Sequence, residues 1–448
     1  MRMGLTIGLN HNIPESQLID PVERQHRIQI WWTIYIFDRM WGSKMGLPMQ
    51  ILDEDIHVDM PSTISPRWRH EEELSDTEYM TANIKLARIV GETITKLYSR
   101  RKYQETFLQR VQKLLKALKN WVETLPESLR LNMEDLESSK KPIVSLHMAF
   151  NQCVILSTRP TLLHLLMTLS QSQTPAPNAY RSGSGTETES ENISVSQPVL
   201  TLSEACIHAA RHSHSMILTR WINGSMPTFG YFHAHYLFSS ALILAMSSFV
   251  PIGNPSDMTA FDSALDLLRS MTENGNLAAA EFHTNLEQVK VCLDAYREVK
   301  GLKISRSESS AEVTGAAAIN AQASAGGLSS SASGFPGISS ALVSGTINPP
   351  LHPMPLDPST STSASAAPLM PTNELLTSPP ATQPIQSNTT DAHAFPVRDT
   401  VSGYTTEMAF LEPTMQDFLA QSDIDLGLLH PVDTFFNEAE NLYTCHEL

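Results

Sequence analysis

Residues 24–61 read RQHRIQIWWTIYIFDRMWGSKMGLPMQILDEDIHVDMP, and this stretch sets the fold class. Ile28, Trp31 and Tyr35 recur at three- and four-residue spacing, which places them together on one face of a helix. That face is broad and apolar, so we expect it to be buried and its two adjacent indoles to be core residues. A glycine and a proline after the run predict the end of the helix, and residues 53–55 predict a short acidic turn.

Helical spacing continues downstream of this stretch. Apolar residues between 107 and 125 repeat every three or four positions, and a proline ends the pattern. Residues 143–169 are apolar on every face, as in a helix buried on most sides, and the Arg159-Pro160 step predicts a bend or break in it. Because no segment alternates like a β-strand, the sequence predicts an all-α, multi-helix bundle over residues 1–304. Further helices are predicted at about 201–221, 231–249, 257–273 and 277–300.

Two polar stretches interrupt the helical pattern. Residues 171–198 are rich in Ser, Thr, Gly and Pro, and they predict a disordered insertion between two helices. Residues 305–403 have a similar bias, with no Asp, Glu, Lys or Arg between Glu312 and Asp357. They predict a low-complexity, disordered linker that joins the helical body to residues 404–448.

Charge and cysteine content exclude several classes of function. The 448 residues include 47 acidic and 31 basic ones, for a net charge of −16, and such a surface disfavours unaided binding to duplex DNA. The four cysteines lie far apart in sequence, so they form no zinc knuckle of neighbouring residues. The N-terminus has too short an apolar run for a signal peptide, which favours an intracellular protein.

The stretch at residues 24–61 resembles the middle homology region, or fungal-specific transcription factor domain, of Zn2Cys6 zinc binuclear cluster transcription factors. The resemblance covers about residues 1–300, and we expect the residues that carry it to be structural. One departure is Leu47, where the family usually has a polar residue. The residues that carry the resemblance are Trp31, Trp32, Tyr35, Asp38, Arg39, Gly46, Pro48, Asp53, Glu54, Asp55, Pro61, Arg159 and Pro160.

The resemblance implies a nuclear regulator of RNA polymerase II genes in a fungus. Members of the family bind DNA through an N-terminal cluster of six cysteines that holds two zinc ions, and the sequence contains no such cluster. We therefore expect an N-terminally truncated chain that holds no cofactor itself and contacts DNA only through the missing region, with no membrane partner. The alternative is a helical interaction protein, dominant-negative or corepressor-like, that has lost DNA binding. Homodimerisation of the body stays open.

The C-terminal residues 404–448 combine nine acidic residues with aromatic and aliphatic ones and contain no Lys or Arg. This composition is typical of a transcriptional activation segment that binds coactivators or the transcription machinery. Two other interpretations stay open, an inert acidic tail and a last helix that docks back on the core. The residues expected to make activation contacts are Phe410, Phe418, Leu419, Phe435 and Phe436.

One group of residues has the spacing of metal ligands. Glu204, His208 and His212 share one helical face, and His214, His233 and His235 lie nearby in sequence. The group lacks the glutamate position of a metalloprotease motif, so core or surface histidines are the favoured interpretation. Residues 53–55 are likewise interpreted as a capped turn rather than a cation site. No nucleophile motif or phosphate-binding loop occurs, so we expect no catalytic residue and no enzyme activity.

Overall fold

The computed structural model describes residues 1–14, 17, 20–62, 77–99, 101–131, 141–172, 195–316 and 408–427. These residues form twelve α-helices and no β-strand, so the predicted all-α class is confirmed. The helices are α1 (Arg2–Thr6), α2 (Pro21–Met45), α3 (Thr77–Thr93), α4 (Phe107–Glu123), α5 (Lys141–Ser172), α6 (Gln197–Ile222), α7 (Tyr231–Ser247), α8 (Ser256–Glu273), α9 (Leu277–Ala316), α10 (Met408–Leu411), α11 (Pro413–Ala420) and α12 (Asp423–Gly427).

The chain divides into two compact units. One comprises Met1–Lys303 together with Pro396–Leu448, and the other comprises Ile304–Phe395. Helix α9 continues to Ala316, past the predicted start of the linker at residue 305. The remainder of the predicted linker and the interior of the predicted insertion at 171–198 lie outside the described residues.

Local chemistry sets both ends of α2. The Asp20 side chain accepts a hydrogen bond from the backbone N–H of Val22 at 3.3 Å, and Pro21 occupies the first helical position, where no backbone donor is needed. At the other end Gly46 adopts φ 64°, a left-handed conformation that glycine tolerates and that terminates the helix. Helix α2 therefore ends at Gly46, as the sequence predicts.

The first unit has two hydrophobic cores that meet along α3. The smaller core joins α1 and α2 to α3 and contains both indoles of the Trp31-Trp32 pair. The larger core is built by α3 to α9, and the C-terminal helices α10 to α12 contribute to it. Helix α5 lies at its centre and packs against α3, α4, α6 and α7. By length and composition α5 is the one helix among the described residues that could cross a membrane, but its neighbours cover it as a core helix.

The sequence predicts a bend or a break at Arg159-Pro160, and helix α5 passes through Pro160 without ending, so the helix does not break there. Proline lacks the N–H that would bond the Leu156 carbonyl one turn earlier. The hydroxyl of Tyr98 donates to that carbonyl at 2.7 Å and so replaces the missing bond. A π-helical turn, Ile94–Tyr98, follows α3 and carries this tyrosine to α5.

Several histidines lie buried or half-buried in α6 and α7. Burial lowers the pKa of His212 and His235 to about 3, and neighbouring basic groups contribute a smaller part of this shift. It lowers the pKa of His208, His214 and His233 to about 4. These side chains are therefore neutral in the folded chain at physiological pH.

We expect the chain to lose stability as the pH falls below about 6.5. The folded-state pKa values lie below those of the unfolded chain, so between these values only the unfolded state binds protons. The loss between pH 7 and pH 5 should be about 1–2 kcal/mol for each buried histidine, read from urea unfolding at both pH values. His214→Gln should remove one histidine's share of this slope, whereas His26→Gln, at an exposed position, serves as the control. Equal stability at both pH values would contradict the prediction.

Candidate functional site

Within residues 24–61, a buried arginine of α2 connects this helix to the loop that follows it. The Arg39 guanidinium, 1% exposed, donates to Asp38 at 2.6 Å and to Asp53 at 2.7 Å. It also donates to the Ile51 carbonyl at 2.8 Å and lies 4.3 Å from the ring centroid of Tyr35. The Tyr35 hydroxyl completes the group by donating to Asp53 at 2.9 Å. We call these residues, Tyr35, Asp38, Arg39 and Asp53, the arginine hub.

The electrostatics of the hub keep Tyr35 and Arg39 protonated. Burial raises the pKa of Tyr35 to about 12, and the Asp53 carboxylate adds to this while Arg39 opposes it. Burial disfavours the charge on Arg39, but Tyr35 and the two aspartates outweigh burial and raise its pKa. The hub therefore contains a protonated phenol and a charged guanidinium at physiological pH.

The hub leaves little free space around the guanidinium. A Cβ at Gly91, on α3, would lie 3.1 Å from Nε of Arg39 and 3.3 Å from the sulfur of Met49. Glycine at this position therefore lets α3 approach the arginine closely. Asp53 has a second cationic partner, Arg88, at 3.2 Å, but this side chain is 45% exposed.

The other residues that carry the resemblance to the family are not members of the hub. Trp31 and Trp32 are buried, and the Trp32 indole N–H donates to the carbonyl of Asp59 at 2.8 Å. Pro61 is also buried, whereas Pro48 lies on the surface next to the exposed Leu47. Glu54 and Asp55 are exposed, so Asp53 alone of the acidic turn joins the network. The arrangement fixes the loop after α2.

Arg159 and Pro160 belong to a second fixed arrangement. The Arg159 guanidinium donates to the Tyr98 hydroxyl at 3.2 Å and lies 5.6 Å from the centroid of its ring. Tyr98 in turn bonds the carbonyl that the proline leaves free. Sequence reasoning missed Tyr98, because no local pattern links it to a proline 62 positions later.

The C-terminal segment 408–427 lies against the helical body. Helix α11 contacts both α4 and α6, and α12 contacts α4. Phe410, Phe418 and Leu419, three of the expected activation contacts, are buried there together with Met415 and Leu426. The other two, Phe435 and Phe436, lie outside the described residues.

One buried side chain of α4 holds the backbone of this segment. The Gln112 amide donates to the Phe418 carbonyl at 2.8 Å and to the Gln421 carbonyl at 2.9 Å, and Gln112 itself is fully buried. Both carbonyls lie at the C-terminal end of α11, where acceptors lack full intrahelical bonding, and the Phe418 carbonyl also accepts from the backbone N–H of Gln421 at 3.3 Å. Farther along, the Thr106 hydroxyl donates to the Leu426 carbonyl at 3.4 Å. The docked segment therefore has specific polar contacts as well as apolar ones.

The histidine-rich region holds no metal-binding arrangement within the part of the chain that the structure describes. Nδ1 of His212 lies 3.1 Å from the Asn151 amide nitrogen, so this ring is engaged inside the core. Glu204 is exposed on the same helix, α6. Glu412, in the docked segment, lies near Glu204. Partial burial and the negative charge of Glu412 raise the pKa of Glu204.

The cysteines do not fit the zinc cluster that the resemblance implies. Cys153 and Cys206 are free and buried among apolar side chains, and Cys292 is free and exposed. Burial raises the pKa of both buried thiols to about 12, which opposes the thiolate form that binds zinc. Cys445 lies outside the described residues.

Comparisons with known proteins find sequences similar to the region that contains the arginine hub. Residues 1–123 match the family model of the fungal specific transcription factor domain. An uncharacterized transcriptional regulatory protein of Schizosaccharomyces pombe is 27% identical over 270 residues, which are 60% of this chain and 31% of that protein. No solved structure matches the chain.

Two further relatives match a shorter part of the chain. The transcriptional activator protein acu-15 of Neurospora crassa is 27% identical over 178 residues, 36% of this chain and 19% of that protein. Activator of stress genes 1 of Saccharomyces cerevisiae is 27% identical over 172 residues, 36% of this chain and 18% of that protein. The chain thus spans less than a third of the length of each of these relatives.

We expect Arg39→Met to destabilise the first unit by about 3–5 kcal/mol, because it leaves Asp38 and Asp53 without their buried partner. Arg88→Met removes the exposed partner of the same aspartate and should cost less than about 1 kcal/mol. Urea unfolding monitored by tryptophan fluorescence measures both changes. If the two variants lost equal stability, the buried guanidinium would not be the residue that holds the loop in place.

Proposed function

Because residues 1–123 carry a fungal-specific transcription factor domain, we propose that this chain regulates transcription of RNA polymerase II genes in a fungal nucleus. The names of its relatives, which are transcriptional regulators and activators, support this proposal. The chain would act by recruiting other proteins and not by catalysis. A zinc cluster outside these 448 residues would choose the DNA site, because the four cysteines here cannot build one.

Within this proposal the helical body controls the acidic C-terminal segment. The observation that carries this role is the buried position of Phe418 between α4 and α6. Aromatic side chains of an acidic activation segment bind coactivators by inserting into an apolar groove, and a buried ring is not free to do so. Docking would therefore keep the segment inactive, and release would expose it to coactivators or to the transcription machinery.

The contacts of the segment suit a reversible interaction. Apolar burial and the two Gln112 bonds favour docking. Against them stand the ordering of a tethered segment and the like charges of Glu204 and Glu412, which docking brings together. A modest bias toward either state can therefore move the population, as a regulatory switch requires.

We expect Gln112→Met to weaken docking, since methionine fills a similar volume but removes the amide that donates to the carbonyls of Phe418 and Gln421. The loss should be about 1–3 kcal/mol, and hydrogen exchange in residues 408–427 should become faster. In a reporter assay, the full chain fused to a foreign DNA-binding domain should activate more strongly with this substitution.

The matched control is Lys119→Met on the same helix, whose side chain pairs with Glu123 within α4. It should change neither hydrogen exchange in the segment nor reporter activity. Fast exchange in the unmodified chain would show that the segment is not docked. Unchanged reporter activity in a chain with an undocked segment would contradict control by the body.

We expect the aromatic residues of the segment to carry activation. Phe418→Ala, Phe435→Ala and Phe436→Ala, introduced together into the Gln112→Met fusion, should abolish the reporter signal because the apolar contacts to coactivators are lost. Substituting the exposed Phe229, which lies outside the segment, by Ala is the control and should leave the signal unchanged. Full activity of the triple variant would exclude the segment as the activator.

A further inference from the structure

The first turns of α2 and the segment before this helix enclose a small pocket that the proposed function does not use. The buried residues that line it, Leu9 and Ile28, are apolar. The more exposed lining residues are polar, and they include two half-buried arginines of α2 that lie one helical turn apart. We call this the arginine pocket, and its polar residues are His11, Asn12, Arg24 and Arg27.

Hydrogen bonds hold the wall of the arginine pocket in place. The backbone N–H of Asn12 donates to the His57 carbonyl at 2.9 Å, and the N–H of His57 donates to the Asn10 carbonyl at 2.9 Å. The rings of His11 and His57 stack with 5.4 Å between their centroids. The side-chain oxygen of Asn12 accepts from the N–H of Asp59 at 3.1 Å, so its amide nitrogen is the end that remains for a ligand.

The two arginines of the pocket have no acceptor of their own. Within the part of the chain that the structure describes, no carboxylate lies within ion-pair distance of Arg24 or Arg27. By contrast, Arg39 has its partners in the hub, and Arg211 donates to both carboxylate oxygens of Asp257 at 2.6 and 2.7 Å.

Two like charges one turn apart on a helix repel each other, and a bound anion would relieve that repulsion. Each guanidinium presents a fork of N–H donors that matches the oxygens of a carboxylate or a phosphate. The half-buried position of both side chains shields them in part from water and salt, which strengthens their attraction for an anion. The pocket therefore has the donors and the charge of an oxyanion site.

The number of donors favours a phosphate group over a carboxylate. A single guanidinium fork already satisfies the two oxygens of a carboxylate. A phosphate monoester carries three acceptor oxygens and about two negative charges at pH 7, which suit two guanidiniums and the amide of Asn12. A phosphodiester has fewer free oxygens and a single charge, so it matches this set of donors less well.

We propose that Arg24 and Arg27 bind the phosphate group of a small phosphate monoester. The enclosed part of the pocket has room for about one oxygen atom, so the phosphate would place one oxygen inside and meet the guanidiniums at the mouth. The organic part of the ligand would stay outside. Bound phosphate would tie α2 to the segment that carries His11 and Asn12, and it would use no member of the arginine hub.

The test is a titration of the full chain with methyl phosphate at pH 7.5, followed by ³¹P NMR. Binding should saturate, and Arg24→Gln and Arg27→Gln should each weaken it about tenfold, because each removes one charge-assisted fork. The matched control is Arg269→Gln on α8, which removes the same charge from an exposed arginine outside the pocket and should leave the affinity unchanged. Tryptophan fluorescence shows whether each variant folds.

Two further probes separate a phosphate monoester from other anions. Acetate, and duplex DNA with 5′-hydroxyl ends, which contains only phosphodiesters, should both bind more weakly than methyl phosphate. Three results would overturn the proposal: no saturable binding of methyl phosphate, equal losses in Arg27→Gln and Arg269→Gln, or tighter binding of acetate or DNA. None of these results depends on whether residues 408–427 dock.

Discussion

The fold depends on one desolvated positive charge, the guanidinium of Arg39. Burying an arginine costs free energy unless its donors find partners, and here the two terminal nitrogens donate to a neighbour in the helix, a loop carboxylate and a loop carbonyl, whereas Nε has no partner among the described residues. The loop after α2 therefore has to return to the helix, and the Trp32 indole holds it farther along through the carbonyl of Asp59. Helix α3 closes the arrangement, and Gly91 lets it come close enough. The ion pairs and hydrogen bonds of Arg39 thus hold the loop on the smaller core, in addition to the burial of its apolar side chains.

The sequence predicts the features that depend on local spacing. The α2 and α4 helices follow from apolar residues three and four positions apart, and the end of α2 follows from the glycine at position 46. Pro160 shows where local rules stop, since the carbonyl that a proline leaves without a donor can be bonded by a side chain from elsewhere in the fold. That donor is Tyr98, which a π-helical turn brings from a different helix. Sequence spacing alone carries no signal for such a pairing.

The C-terminal segment shows a second limit of the same kind. Acidic and aromatic residues favour both an activation segment and an amphipathic helix that docks on its own body, so composition does not separate the two. The structure adds Gln112, a polar residue on the buried face of α4 whose partners lie about 300 positions away in sequence. Under the proposed function the two interpretations would describe two states of one segment, and the structure contains the state in which its side chains pack against α4 and α6.

Gln112 recognises main-chain oxygens at the end of α11, and this choice has an evolutionary consequence. Main-chain acceptors are present whatever the amino acids of the docked helix are, so the amide tolerates drift in the segment that it holds. Selection then has to preserve only a short helix with a few apolar residues on one side. Under the proposed function, a tail of different sequence that kept such a helix would be bound by the same amide.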